Sequence, residues 1–291
     1  MAGRAEGTLT WRELLAETTA LVGDAAHARW ICERAASATH DELVAMLDRP
    51  ATERAVAHLD AMVARARGGE PIQYVLGSWG FRRLDLAVDR RVLIPRPETE
   101  LVAELAIELA ARAPAPREVA DLGTGSGAIG LALADELPLE GTTVWLTDAS
   151  EGALDVARAN LAGLGRAAVN VRIAPGSWCD ALPADRSFDV IVSNPPYVAE
   201  GSADLDDAVA EWEPPDALLA GPDGLDDLRA IVAGALPRLR PGGWLGLEHG
   251  HDQGEAVAAL LVGAGYVEVA SRRDLAGRDR VALGRRPISA R

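Results

Sequence analysis

The sequence predicts an α/β protein with an open, mostly parallel seven-stranded sheet, helices on both of its faces, and a small helical bundle in front. Three observations predict it. From Val92 onward short apolar runs alternate with helical stretches, the pattern of a doubly wound sheet. Three alternate glycines, Gly123, Gly125 and Gly127, stand where the first of those runs gives way to a helix. The first ~70 residues carry helical rather than strand patterning, with capping signals at the helix starts.

In that N-terminal stretch, Thr10 and Glu13 have capping-box spacing, as do Thr39 and Glu42. Trp11, Leu14, Leu15 and Thr18 begin an apolar stripe that Gly23 closes, a second helix is expected over Ala25 to Ala36, and a third runs from Thr52 to Arg67 before Gly68-Gly69. None is long enough to be stable alone, so they are expected to pack together. Ile72, Tyr74 and Leu76, then Phe81, Leu84, Leu86 and Val88, read as two strands around Ser78-Trp79-Gly80. The expected organisation is a helical substrate-recognition domain over 1–70, a linking hairpin over 71–90 and a catalytic α/β domain over 91–291.

In the α/β part, Pro97, Glu98 and Glu100 suit the start of a helix reaching Arg112. Strands are expected at Glu118–Leu122, Thr143–Thr147, Asn170–Ile173, Phe188–Ser193, Trp244–Glu248, Val267–Ser271 and Arg280–Leu283, the last two forming a hairpin.

Composition narrows the function. Among 291 residues 48% are hydrophobic and 25% charged, ordinary values for a globular chain. No run approaches the ~20 apolar residues of a membrane span, and Met1 to Thr10 lacks an apolar signal core, so a cytoplasmic, monomeric protein with no membrane contact is expected. Cys32 and Cys179 are expected as reduced thiols, and the five histidines, His249 and His251 included, complete no metal-ligand pattern. All 29 basic residues are Arg, and the net charge is −15. That balance weighs against direct nucleic-acid binding, because neutralised phosphates supply much of such affinity. The basic cluster of Arg272, Arg273, Arg278 and Arg280 leaves that question open.

Ligands of such a sheet bind beyond the carboxyl ends of the strands. The first strand of the α/β part ends in Asp121-Leu-Gly-Thr-Gly-Ser-Gly127. Its glycines let the backbone turn and approach a ligand closely, with Thr124 and Ser126 between them. Asp148, at the end of the next strand, is placed to bind ribose hydroxyls. Gly123, Gly125 and Ala128 also satisfy a dinucleotide fingerprint. Asp121 tips the balance, since an acid there repels a pyrophosphate but suits a cationic amino-acid-bearing cofactor such as S-adenosylmethionine.

The strand Phe188–Ser193 ends in Asn194-Pro195-Pro196-Tyr197. Consecutive prolines stiffen the loop and leave carbonyls free, and the Asn194 amide adds another acceptor. Two acceptors grip both hydrogens of a planar –NH2 group and aim its lone pair at an incoming methyl, while Tyr197 is placed to stack on the flat acceptor. An amide and an exocyclic amine of adenine or guanine satisfy this description equally.

The runs Tyr74–Phe81, Val92-Leu-Ile-Pro-Arg-Pro-Glu-Thr-Glu100, Asp121–Ile129, Val192-Ser-Asn-Pro-Pro-Tyr197 and Leu247-Glu-His-Gly250 together resemble the HemK/PrmC family, the peptide-chain-release-factor glutamine N5-methyltransferases. The resemblance extends from about Thr10 to Arg286. It implies the class I S-adenosylmethionine-dependent methyltransferase fold and methylation of the glutamine in the Gly-Gly-Gln loop of class I release factors. It also implies cofactor contacts from Gly123 to Gly127 and from Asp148, with Trp178 flanking the adenine. Asn194 would touch cofactor and substrate, Pro195 to Tyr197 would complete the glutamine pocket, and the N-terminal bundle would help recognise the release factor. The alternative, a nucleic-acid amine methyltransferase, shares the Asn-Pro-Pro-Tyr motif but not the Ile94–Glu100 run. One departure concerns Ser177, where family members often carry Asp.

Overall fold

The computed structural model describes residues 9–202 and 206–288. The chain divides into two compact units, 1–78 and 79–291.

The first unit is helical: α1 (Trp11–Val22), α2 (Ala25–Ala36), α3 (His40–Ala45), α4 (Glu53–Arg67) and α5 (Ile72–Leu76). Both capping boxes form. The Thr10 side chain accepts from the Glu13 amide while the Glu13 carboxylate accepts from the Thr10 amide at 2.8 Å, and Thr39 and Glu42 repeat the arrangement. Trp11, Leu14, Ile31, Leu43, Leu59, Met62, Ile72 and Val75 form the core of this unit.

Residues 72–76 depart from expectation, being helical rather than extended. Ile72, Val75 and Leu76 fit a helical spacing as well as Ile72, Tyr74 and Leu76 fit a strand, and five residues do not separate the two periods. Pro71 at the N-cap and Gly77 in the left-handed region (φ 74°) bound the turn. Arg65 donates to the carbonyls of Tyr74 and Val75 at 2.8 and 3.2 Å, supplying partners that a helix end otherwise lacks.

The hairpin that follows is shorter than expected: β1 (Ser78–Phe81) and β2 (Leu84–Ala87), turning at Arg82 with φ 51°. The second unit continues with α6 (Thr99–Arg112), β3 (Arg117–Leu122), α7 (Ala128–Glu136), β4 (Thr142–Asp148), α8 (Glu151–Gly163), β5 (Val171–Pro175), β6 (Phe188–Ser193), α9 (Asp207–Trp212), α10 (Asp226–Arg238), β7 (Leu239–Glu248), α11 (Gly254–Ala264), β8 (Val267–Arg273) and β9 (Asp279–Arg285). The sheet order is β5-β4-β3-β6-β7-β9-β8. All neighbours pair in parallel except β7 with β9 and β8 with β9.

Both faces are covered, and the strands alternate between two cores as the period of two requires. Val190 and Val192 point into the cluster that includes Val102, Ala106 and Leu131, whereas Ile191 joins Leu228, Ile231 and Leu261 on the other face. The register then places the site. Leu122 lies abreast of Thr147 on one side and Ser193 on the other. The loops that begin at Gly123, Asp148 and Asn194 therefore leave the sheet side by side, at the point where the strand order reverses.

Candidate active site

A cavity of about 570 Å³ opens at these strand ends. Gly123–Ser126, Asp148, Trp178 and Asn194 line it, with Leu93 and Thr99. Its floor is the glycine loop, whose three glycines all have positive φ (67°, 56° and 90°). A Cβ on Gly123 would come within 2.9 Å of the Trp178 ring, and one on Gly127 within 2.8 Å of Leu131 Cδ1. A Cβ on Gly125 would meet nothing within 4 Å, so that position faces open space.

Two acids hold the loop. Asp148 Oδ2 accepts from the Gly125 amide and Oδ1 from the Ser150 amide, both at 2.9 Å. Burial raises its pKa above the usual carboxylate value. Asp121 is fully buried and is not among the cavity-lining residues. Its Oδ2 accepts from the Thr124 hydroxyl at 2.5 Å and the Gly130 amide at 2.8 Å, while Oδ1 has no hydrogen-bond partner among the described residues. Burial pushes its pKa up to about 7, against the two hydrogen bonds that favour the charged form.

Asn194 begins the loop after β6. Its Nδ2 donates to the Thr99 hydroxyl at 3.0 Å, at the first turn of α6. The Tyr197 hydroxyl donates to Glu248 Oε1 at 3.1 Å. Glu248 is 1% exposed, and burial pushes it to about 7 although Thr99, Tyr197 and Arg280 each favour its charged form. Pro196 lines the cavity, whereas Pro195 and Tyr197 do not. Tyr197 packs instead against the core beneath α10 and α11, its carbonyl accepting from Gln253 Nε2 at 2.9 Å.

Several residues here were not singled out from the sequence. Glu213, 4% exposed, accepts from the Ile94 amide at 3.0 Å and pairs with Arg96 at 2.5 Å, fastening the 92–97 loop beside Pro214, which lines the cavity. Asp227 lines the cavity too, as does Trp178. Asn160 donates to the Ser126 carbonyl at 2.8 Å and ties the glycine loop to Ala87. Thr99 and Glu248 lie inside the Val92–Glu100 and Leu247–Gly250 runs, but nothing in either run announces their partners, Asn194 and Tyr197.

Two of the four arginines in the basic cluster near the C-terminus are paired: Arg273 with Asp279 at 3.1 Å and Arg280 with Asp274 at 3.4 Å. Among the described residues no His/Cys/Asp/Glu group is arranged to hold a metal, and no helix is long and apolar enough to cross a membrane. Both cysteines are buried free thiols.

Two protein-family models match the chain. One described as the PrmC N-terminal domain matches residues 11–77, and one described as the methyltransferase small domain matches 101–211. A release factor glutamine methyltransferase of Xylella fastidiosa is 47% identical over 256 residues, covering 88% of this chain and 89% of its own. The chain belongs to the release factor glutamine methyltransferase family. A second member, from Burkholderia pseudomallei, is 42% identical over 267 residues, covering 91% of this chain and 93% of its own. A solved methyltransferase from Pyrococcus furiosus is 19% identical with a TM-score of 0.51, covering 70% of this chain and 90% of its own. At that identity it attests the fold. The methyltransferase small domain match spans β3 to β6, the strands whose ends carry the cavity.

Proposed function

We propose that this chain transfers a methyl group from S-adenosylmethionine to the side-chain amide nitrogen of the glutamine in the Gly-Gly-Gln loop of class I release factors. The observation that carries this reading is family membership across almost the whole chain, through relatives that bear that name.

The residues fit the cofactor. Asp121 does not line the cavity and serves it through the glycine loop and the start of α7, its Oδ2 holding the Thr124 hydroxyl and the Gly130 amide. Asp148 keeps lone pairs for ribose hydroxyls after its two amide bonds. Gly125 presents bare backbone to the cavity, and Trp178 offers a flat apolar face for adenine. When bound, S-adenosylmethionine supplies a sulfonium-activated methyl group.

The chain itself then has to hold the acceptor nitrogen in line. Asn194 Oδ1 and a main-chain carbonyl of the Pro195-Pro196 pair, of which Pro196 lines the cavity, accept the two amide hydrogens. Both acceptors interact more strongly as the nitrogen becomes positive, so the grip tightens in the transition state. No dedicated base is required, because the product proton leaves to water.

Mass spectrometry of a release factor incubated with the chain and S-adenosylmethionine tests this reading. One added methyl on the loop glutamine is expected, and none after that glutamine is replaced. Transfer that survives the replacement, or that goes to bulk RNA or DNA instead, overturns it.

A further inference from the structure

The glycine loop is held at one point by a group from far along the chain. Ser126 stands between Gly125 and Gly127, whose φ values are 56° and 90°. Glycine restrains a neighbouring peptide less than any other residue, so the peptide joining Ser126 to Gly127 has to be fixed from both of its sides. Its N–H donates to the Thr124 carbonyl at 2.8 Å. Its carbonyl accepts from Asn160 Nδ2 at 2.8 Å, a side chain 34 residues further on in α8.

Asn160 has its own orientation imposed on it. Its Oδ1 accepts from the Ala87 amide at 2.7 Å, and its Nδ2 donates to the Ala87 carbonyl at 3.0 Å. A backbone N–H only donates and a backbone carbonyl only accepts, so Ala87 permits one flip of the carboxamide and no other. In that flip one Nδ2 hydrogen is spent on Ala87 and the second is left for Ser126. Ala87 is the last residue of β2. The turn at the other end of β2 is anchored as well: Arg82 Nε and Nη2 donate to the two carboxylate oxygens of Glu136 at 2.5 and 2.9 Å. Glu136 ends α7, and α7 begins directly after Gly127. The hairpin therefore grips both ends of the unit formed by the glycine loop and α7, at one end through Asn160 and at the other directly.

We propose that Asn160 is a positioning residue for the cofactor, fixing the Ser126–Gly127 peptide against the hairpin and with it the cavity floor at Gly125 and Ser126. This deepens the functional reading above and rests on it for the identity of the ligand. The fixing of the loop rests on the hydrogen bonds alone and holds for any ligand seated on that floor.

The test compares Asn160→Asp, Asn160→Leu and Arg158→Ala in the full chain. Aspartate keeps the shape of asparagine and an acceptor for the Ala87 amide, but has no hydrogen for either carbonyl. Leucine keeps the volume and removes all three bonds. Arg158 lies on the same helix in exposed pairs with Glu151 and Asp155, and is the control. We expect Asn160→Asp to bind S-adenosylmethionine about tenfold more weakly by calorimetry at undiminished stoichiometry, the scale of one lost hydrogen bond with its partner left unsatisfied. Asn160→Leu loses at least as much, and Arg158→Ala binds within about twofold of wild type. In turnover the KM for S-adenosylmethionine rises by the same factor, with kcat and the release-factor KM changed less than about threefold, the signature of lost uniform binding. An Asn160→Asp chain within twofold of wild type overturns the proposal. So does a fall in stoichiometry at unchanged affinity, or an equal loss in Arg158→Ala.

A second readout needs no ligand. The Gly127 backbone amide is expected to exchange slowly with solvent in wild type and Arg158→Ala, and at least about tenfold faster in Asn160→Asp. Equal exchange in all three overturns the proposal even if the chain methylates release factors. Faster exchange in Asn160→Asp, in a chain whose wild type does not bind S-adenosylmethionine, leaves the fixing of the loop standing and removes the functional reading.

Discussion

The Gly125 amide donates to Asp148 Oδ2 at 2.9 Å, so the middle glycine of the loop is bonded to the acid at the end of the next strand. One carboxylate thereby fixes the cavity floor while presenting its remaining lone pairs to a ligand. Asp148→Asn replaces one acceptor oxygen with a donor and loosens both roles. We expect S-adenosylmethionine to bind about 10- to 100-fold more weakly by calorimetry, consistent with the loss of charge-assisted bonds, with the fold intact by circular dichroism. Gly125→Ala separates the two roles. Its Cβ meets no protein atom within 4 Å, so the folding cost is limited to the left-handed backbone, about 1–2 kcal/mol, while the methyl intrudes on the ligand. An Asp148→Asn variant that binds as wild type does would remove Asp148 from the ligand site.

Asp121 and Glu248 make folding sensitive to pH in an unusual direction. Both are pushed up to about 7 by burial, whereas an unfolded carboxyl titrates near ~4. Between those values the folded chain holds a proton that the unfolded chain has released, so stability falls as pH rises. The contribution is complete below about 4 and gone above about 7. Around Asp121 the facing groups are Thr124, the Gly130 amide and Asp148; around Glu248 they are Thr99, Tyr197, Arg280 and Glu98. Urea unfolding at pH 5 and pH 7 should show Asp121→Asn losing less stability over that interval than wild type, by on the order of 2 kcal/mol. Equal losses in the two proteins would mean that Asp121 is already ionised at pH 5.

Much of this was legible in the sequence, unevenly and for physical reasons. The strand Phe188–Ser193 is bounded on one side by polar residues and on the other by two prolines, and its limits are those expected. β7 is longer than Trp244–Glu248 because Arg240-Pro-Gly-Gly243 has the chemistry of a turn, yet runs as an irregular part of the strand: Leu239 pairs with Phe188 before the register shifts to Trp244 and Val190. The glycine loop, Asp148, Trp178 and Asn194 converge on one cavity. The groups that orient them were hidden. Thr99 lies 95 residues from Asn194, and Glu248 lies 51 from Tyr197, and no local spacing encodes a hydrogen bond across the sheet.

Glu213 tests how far cavity shape depends on a buried ion pair. It holds Arg96 and the Ile94 amide, and Arg96 has a side chain only 30% exposed. Glu213→Ala strands the guanidinium and one buried amide. Removing a partner of a fully buried pair costs about 3–5 kcal/mol, and partial exposure of Arg96 reduces that to about 2–3. Glu213→Gln keeps an acceptor for Ile94 and should cost less. Thermal unfolding orders the variants wild type, Gln, Ala, and cofactor affinity follows the same order because Val92, Leu93 and Pro95 line the cavity. Equal stability for Ala and wild type would show the pair to be idle.

On the proposed reading, Asn194→Ala removes one of two grips on the acceptor. We expect kcat/KM to fall by about two to three orders of magnitude, the scale of losing one preorganised dipole. A rate near wild type in a single-turnover assay would remove Asn194 from the reaction.

Ser177 offers a gain-of-function test. It lines the cavity next to Trp178. A hydroxyl accepts a hydrogen bond from the adenine amino group, but a carboxylate accepts one roughly twice as strong. Ser177→Asp should therefore bind S-adenosylmethionine about 3- to 10-fold more tightly by calorimetry, with the release-factor KM unchanged. Asp227 opposes part of this gain. It lines the same cavity as Ser177 and Trp178, so a second acid at position 177 feels its charge. Adding Asp227→Asn to Ser177→Asp relieves the repulsion and should raise affinity further. If both variants bind more weakly than wild type, the 177 side chain does not face the adenine, and the adenine amino group is recognised elsewhere along the cavity wall.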